Sequence, residues 1–315
     1  MLRIALAFCA CITFLVALPS RGEARHGDGT VVAVPQLAAA PGAVAHASAD
    51  AVPISHRTLG PGLEDVTYSD GSTYRGSLRA GIPHGHGAYT GALFEYDGDF
   101  EAGRRQGLGT YRWPNGDVYE GHFDDDQPDG RGRFTFANGD LYEGEVRRGA
   151  IRGRGRYRNA GGDEFDGDFV DGRPDGRGVL RFANGDRYSG EVTAGALEGH
   201  GRYETRAGDR IEGRFVRGRP RGIVSIRYAN GDAYDGEAVD GVASGRGVLR
   251  YAGGARYEGE VRHGAPQGDG VLSLPDGSRF EGRFEAGLAR ASGWLVRGDT
   301  RTAATLADGV MTARN

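Results

Sequence analysis

The chain repeats itself with a fixed period of about 23 residues, a length typical of repeat architectures. Each unit opens on Tyr, Phe or Ile; the first step between openings is one residue shorter than the other eight steps, which are all equal. The ten openings are Tyr74, Tyr96, Tyr119, Tyr142, Phe165, Tyr188, Ile211, Tyr234, Tyr257 and Phe280. In such an architecture each unit buries its apolar surface against its neighbours.

The first five positions of each unit alternate in polarity. Numbered from the opening residue, position 1 is aromatic or Ile, position 3 is Gly and position 5 is apolar in every unit, as in Tyr142, Gly144 and Val146. Positions 2 and 4 are mostly Asp or Glu. This period of two predicts a β-strand with one apolar face and one polar face.

A second strand and two turns complete each unit. Gly recurs at positions 12 and 14, followed by an apolar residue at position 16. Position 8 is Gly in every unit except the third, which has Asp126, and the return turn is often Asn-Gly, as in Asn138-Gly139. Asn-Gly is a strong hairpin signal. The prediction is an all-β, single-layer antiparallel meander of about ten tandem hairpins, in which aromatic rings lie across paired glycines.

The N-terminus has the order of a secretory signal peptide. Ile4–Leu18 is an apolar run after a basic start, and we predict cleavage after Ala24, with an uncut anchor as the alternative. The two cysteines, Cys9 and Cys11, lie inside this run, so the mature chain is predicted to have no disulfide. The chain is therefore divided into a signal peptide (1–24), a disordered Ala/Pro/Gly-rich linker (25–63), the repeat array (64–298) and a C-terminal cap or tail (299–315).

The repeated pattern Tyr-Glu-Gly-Glu-Val, then Gly-x-Gly-x-Tyr, then Asn-Gly-Asp resembles the MORN (membrane occupation and recognition nexus) repeat over about 64–298. The resemblance implies an elongated, twisted single-layer antiparallel sheet that serves as a scaffold, in some members at membranes. MORN repeats also accompany lipid kinases and a histone methyltransferase, but this chain has no room for either catalytic domain. A weaker resemblance is to choline-binding wall repeats, which are rich in Trp, whereas this chain has only Trp113 and Trp294.

No constellation of residues indicates catalysis, a cofactor, a metal or a small-molecule substrate. A Walker loop needs Lys, which the chain lacks, and HExxH is absent. The acidic run Asp124, Asp125, Asp126 and Asp129 resembles a calcium loop, but the twelfth position counted from Asp125 is Phe136, which cannot coordinate. The histidines in or next to the glycine pairs fit incidental positions of the repeat; they are His84, His86 and His200.

Arginine is concentrated in the fourth unit. The candidate anion- or partner-binding patch, called here the unit-four patch, consists of Arg147, Arg148, Arg152, Arg154, Arg156 and Arg158, with Arg217, Arg219 and Arg221 of unit seven as a second group. Guanidinium groups bind phosphate and carboxylate in a bidentate manner. The patch is either a site for anionic lipid or acidic polysaccharide, or a solvated face paired with neighbouring acids. The net charge of -4 argues against nucleic acid.

These features predict a non-enzymatic, exported repeat scaffold of the cell envelope or secreted space. Such a scaffold binds a protein partner or assembles into a homo-oligomer, because open sheet edges invite strand addition. The alternative is a peripheral module that binds anionic lipid or acidic glycan through the unit-four patch.

Overall fold

The computed structural model describes residues 3–5 and 51–313, and all regular structure in these ranges is β-strand. The described chain divides into two compact regions: the first region contains residues 51–183 and 193–195, and the second region contains the remainder. The short strand β1 (Arg3–Ala5) belongs to the second region. Among the described residues there is no helix with the length and apolarity needed to cross a membrane.

The first region is an antiparallel meander. From β2 to β13 every strand pairs with its neighbours in sequence. The strands are β2 (Pro53–Gly60), β3 (Leu63–Tyr68), β4 (Thr73–Arg79), β5 (Ile82–Thr90), β6 (Glu95–Glu101), β7 (Arg104–Arg112), β8 (Val118–Asp124), β9 (Gln127–Thr135), β10 (Leu141–Arg147), β11 (Ala150–Arg158), β12 (Glu164–Val170) and β13 (Arg173–Arg181).

The second region has the same pattern of strands. From β15 onward the strands pair in series, and β25 also pairs antiparallel with β1. The strands are β14 (Arg187–Thr193), β15 (Ala196–Glu204), β16 (Arg210–Val216), β17 (Arg219–Arg227), β18 (Ala233–Val239), β19 (Val242–Arg250), β20 (Arg256–Arg262), β21 (Ala265–Ser273), β22 (Arg279–Phe284), β23 (Arg290–Arg297), β24 (Thr300–Ala307) and β25 (Val310–Ala313).

Each repeat is a hairpin, and most of the hairpins have a bulge, as unit four illustrates; unit ten pairs without one. Tyr142 pairs with Tyr157 and Gly144 with Gly155, and the register then shifts before Val146. The bulge accommodates Gly153, whose φ of 99° lies in the left-handed region that glycine adopts without strain. The predicted hairpin repeat is confirmed, and the glycine at position 12 is the bulge residue.

The predicted aromatic ring over glycines is confirmed, but the glycines it covers are the cross-strand pair of positions 3 and 14, not positions 12 and 14 of one strand. A Cβ atom added to Gly155 would lie 2.5 Å from Cε2 of Tyr142, and one added to Gly144 would lie 2.5 Å from Cα of Gly155. The Tyr142 ring is fully buried, and its hydroxyl donates a hydrogen bond to the backbone oxygen of Glu145 at 2.8 Å. Glycine is therefore required at positions 3 and 14 because the ring and the facing backbone occupy the space of a side chain.

Unit seven keeps this packing with different residues. It has Ile211 in place of the ring and Val224 in place of the second glycine, and the two side chains are 1% and 2% exposed. Since Ile211 has no ring to lie over the facing strand, Val224 fills the space that the ring occupies elsewhere.

Successive repeats are joined by edge-to-face ring contacts. The Tyr142 ring meets Phe169 of the next repeat at 5.2 Å and 83°. The same contact joins Tyr188 to Phe215 at 5.1 Å and Tyr257 to Phe284 at 4.9 Å. This geometry suits the ring quadrupole and stabilises the interface beyond its buried area.

The sheet extends beyond the predicted array at both ends. The predicted linker included residues 53–63, but β2 lies there and pairs with β3 across a turn at Gly62, which has a φ of 71°. Pro61-Gly62 was the available turn signal. The predicted tail contains β24 and β25, with Ala304, Leu306 and Met311 buried. The signal peptide and residues 25–50 lie almost entirely outside the described residues, and those predictions remain predictions.

Burial of the opening tyrosines shifts their ionisation. It raises the pKa of Tyr74, Tyr234 and Tyr257 to about 12, because a phenolate formed there would be poorly hydrated. An unfolded tyrosine ionises near a pKa of about 10. Folding is therefore linked to proton binding at alkaline pH.

The free energy of unfolding is expected to fall as the pH rises from about 10 to about 12. In this window the unfolded state releases phenolic protons that the folded state retains, whereas below it both states keep them. The chain has no Lys, so lysine deprotonation does not overlap. Thermal midpoints from circular dichroism, followed together with phenolate absorbance, would check this. Full phenolate absorbance near pH 10 with an intact β-sheet signal would contradict it.

Candidate interaction surface

The polar face of the first region carries an exposed ladder of acids and arginines. Glu143 on β10 lies opposite Arg133 on β9 and Arg156 on β11, and Arg156 lies opposite Asp166 on β12. Acids and arginines therefore lie side by side on this face, as the alternative of a solvated, paired surface predicts. These side chains and the paired glycines line an open trough of about 650 Å³, which includes Arg154.

The structure brings much of the unit-four patch onto one face of β11 but also neutralises most of its charge. Four of the six side chains lie within 4.0 Å of a carboxylate. The pairs are Arg147 with Glu145 at 3.5 Å, Arg152 with Asp171 at 4.0 Å, Arg154 with Asp168 at 3.7 Å and Arg156 with Asp166 at 3.2 Å. Arg148 and Arg158 form no ion pair with residues that the structure describes. The patch is thus a mixed-charge surface.

The second group of arginines, in unit seven, is different. Arg217, Arg219 and Arg221 are exposed, and none forms an ion pair within the described part of the chain. The same holds for Arg214, which occupies position 4, where most units have an acid or a small polar residue. Sequence reasoning missed Arg214, although a comparison of position 4 across the units would have found it.

A buried ion pair joins units two and three. The Arg105 side chain is 3% exposed and that of Asp126 is 7% exposed, with Nε of Arg105 lying 3.3 Å from Oδ1 of Asp126. Asp126 Oδ1 also accepts the backbone N–H of Arg105 at 2.9 Å, and the Asp126 carbonyl accepts from the guanidinium at 2.6 Å. In the sequence Asp126 stands out as the exception to the position-8 glycine, but the repeat pattern does not identify Arg105 as its partner.

Aromatic rings enclose the guanidinium of Arg105. Its Cζ lies 4.9–5.8 Å from the centroids of four rings. These belong to Phe94, Tyr96, Tyr111 and Phe123. Cation–π attraction therefore adds to the charge pair.

The acidic run that resembled a calcium loop is bound to its own chain. Besides Asp126, Asp124 accepts a hydrogen bond from the side chain of Gln106 at 3.0 Å, and Asp125 contacts Arg104. Asp129 accepts the backbone N–H of Arg148 at 3.1 Å. These carboxylates of unit three bond it to unit two on one side and to unit four on the other.

The return turns form a second set of ties between repeats. Oδ1 of Asp140 accepts the backbone N–H of Ala160 in the next turn at 2.9 Å, and Oδ2 accepts the Tyr157 hydroxyl at 2.5 Å. The same aspartate-to-amide bond recurs in five further turns. Those aspartates are Asp117, Asp163, Asp186, Asp209 and Asp232. This regular ladder has a structural role.

Comparison with known proteins gives one strong match. A family model described as "MORN repeat" matches eight segments, which leaves out units seven and ten. The segments are 74–92, 96–118, 119–141, 142–164, 165–187, 188–210, 234–256 and 257–279. No curated protein sequence matches the chain.

Two solved structures show weak similarity. One is the TCP domain of SAS-4 (dCPAP) of Drosophila melanogaster in complex with a proline-rich motif of Ana2 (dSTIL), with 19% identity, 55% of this chain and 81% of that chain covered, and a TM-score of 0.25. The other is a catalytically inactive virginiamycin B lyase from Staphylococcus aureus with quinupristin, with 10% identity, coverages of 86% and 97%, and a TM-score of 0.15. Similarity at this level carries no argument about function.

Proposed function

Since this chain belongs to the MORN-repeat family, we propose that it is a non-enzymatic scaffold that binds a protein partner in the cell envelope or secreted space after removal of residues 1–24. MORN repeats are known in interaction and scaffold proteins, and the family is not an enzymatic one. The proposed location rests on the apolar run Ile4–Leu18 and its flanking residues.

The observation that carries this proposal is the exposed polar face. Acids and arginines alternate on it from strand to strand, and its trough is open rather than enclosed. A repeat array presents such a surface over many units, which suits an extended macromolecular partner. Polar, mixed-charge surfaces favour specific docking, because a wrong partner places like charges together.

Self-assembly is the second candidate, and the edge strand β2 favours it. β2 pairs with β3 on one side and has no partner on the other among the described residues. It is largely exposed, with Ile54 65% exposed. An exposed, unpaired edge can accept a strand from another copy.

The test is affinity capture with the mature chain, residues 25–315, together with light scattering across concentration and salt. We expect a monomer that captures one dominant partner, displaced by excess untagged chain. Concentration-dependent dimers or filaments would replace this function with self-assembly. Salt-sensitive binding to anionic vesicles, lost when Arg152, Arg154 and Arg156 become Ala, would replace it with the lipid-binding alternative.

A further inference from the structure

In six repeats a carboxylate of position 4 covers the bulge glycine of position 12. The glycine has a positive φ in each case, and the nearest atom to a Cβ added there belongs to the acid. The pairs are Asp99 with Gly107, Glu145 with Gly153, Asp168 with Gly176, Glu191 with Gly199, Glu237 with Gly245, and Glu260 with Gly268. Successive backbone N–H groups at a turn that contains a left-handed residue can point into one concavity, which favours an anion.

Two of these acids show how the concavity holds a carboxylate. Oδ2 of Asp168 accepts the backbone N–H of Arg177 at 3.1 Å, and Oδ2 of Asp99 accepts that of Leu108 at 3.4 Å. The donor is the residue directly after the bulge glycine in both units. The bulge is therefore a seat for a carboxylate, which the chain itself normally supplies.

Unit seven keeps the seat but does not supply the acid. Its register shifts between Gly213 and Phe215, and Gly222 has a φ of 82°, as in the other bulges. Position 4 is Arg214, and no atom beyond the immediate neighbours lies within 4 Å of a Cβ added to Gly222. The amide of Ile223 corresponds to the donors in the other units.

The surroundings of this seat are basic. Arg214, Arg219 and Arg221 are exposed and form no ion pair within the described ranges. Two acids of the adjoining strands form ion pairs elsewhere: Glu212 with Arg202 at 3.3 Å and Asp235 with Arg227 at 3.0 Å. A third, Glu237, lies opposite Ile223 and covers Gly245. An anion at Gly222 would therefore meet backbone donors and unpaired guanidinium groups together.

We propose that unit seven binds a carboxylate of an acidic segment of a partner protein, seated on the bulge at Gly222 and held by Arg214, Arg219 and Arg221. This inference rests on the proposed scaffold function and names the chemistry of its partner. Six other units fill the same seat with Asp or Glu, so its size and donors suit a carboxylate. Ile223, 72% exposed beside the seat, offers an apolar contact that a polypeptide can use.

The test is fluorescence anisotropy of a labelled short poly-glutamate peptide titrated with the mature chain. We expect saturable binding, and Arg214→Glu, which restores the internal acid, should weaken it about tenfold or more, the value of one charge-assisted hydrogen bond. The matched control is Arg283→Glu, at the same repeat position in unit ten, where β22 and β23 pair without a bulge. It makes the same charge change and should leave affinity within about twofold.

Each other outcome is also decisive for this inference. Equal weakening by both substitutions would mean a diffuse field and overturn it, as would no peptide binding. Phosphatidylglycerol vesicles that bind in an Arg214-dependent way, without peptide binding, would assign the seat to lipid instead. Circular dichroism should show Arg214→Glu folded. If the captured partner binds the Arg214→Glu variant with unchanged affinity, this inference fails while the proposed function stands. If the peptide binds specifically but no partner is captured, the carboxylate site stands while the proposed scaffold function fails.

Discussion

Asp126→Gly is expected to lower the free energy of unfolding by about 1–4 kcal/mol net, although glycine occupies this position in the other nine units. Removing the partner of a buried charge costs about 3–5 kcal/mol. The substitution leaves the Arg105 guanidinium buried among aromatic rings without its counter-charge. Glycine would relieve the φ of 70° at Asp126, a gain of about 1–2 kcal/mol. The loss of the charge partner is the larger effect, so the net change is destabilising. Urea unfolding of the mature chain, followed by circular dichroism, measures it.

The double variant Arg105→Leu with Asp126→Gly is the matched control. Leu197 occupies the position of Arg105 in unit six, so this pair of residues already exists in the array. Replacing a buried ion pair with an apolar side chain is often neutral or stabilising. We therefore expect the double variant to recover most of the lost free energy of unfolding. A double variant as unstable as Asp126→Gly alone would show that the unpaired charge is not the cause.

Tyr142→Ala is the second large change, with an expected loss of about 3–5 kcal/mol in the free energy of unfolding. It removes the ring that lies over Gly144 and Gly155 and the edge-to-face contact with Phe169. No other layer of the described sheet would fill the space, because both glycines lack side chains.

Tyr142→Phe separates the ring from its hydroxyl. It removes only the hydrogen bond to the Glu145 carbonyl, for an expected loss of about 1 kcal/mol. Phe165 already lies over Gly167 and Gly178 in unit five, so the ring fits without the hydroxyl. Similar losses for Tyr142→Ala and Tyr142→Phe, measured by the same urea titration, would contradict the role given to the ring.

The fold was predictable because each contact recurs at a fixed offset in sequence. The spacing of Tyr142, Gly144 and Gly155 contains both the hairpin and the ring over the glycines, and nine of the ten units share it. The return-turn ladder was not predictable in this way. Asp140 bonds to the amide of Ala160, and only the register between repeats shows which amide that is.

The candidate sites depended on strand pairing and on contacts between repeats, which the amino-acid sequence does not state directly. The unit-four patch reads as basic along the chain, but strand pairing places Asp166 and Asp168 opposite its arginines. The pair of Arg105 and Asp126 was missed because each residue is an exception in its own column, and the two are 21 residues apart. Their meeting requires the stacking of unit three on unit two.

That buried pair also limits how the array can change length. Genes for tandem repeats grow and shrink by duplication and deletion of whole units. Most units here join through backbone hydrogen bonds, such as the one from the Gly149 N–H to the Pro128 carbonyl, which do not depend on a particular side chain. Unit two must instead be followed by a unit that carries an aspartate at position 8. Deleting unit three, or inserting a copy of another unit before it, would separate Arg105 from Asp126 and leave a buried charge. The boundary between units two and three is therefore a fixed landmark in the array, on either side of which copy number can vary.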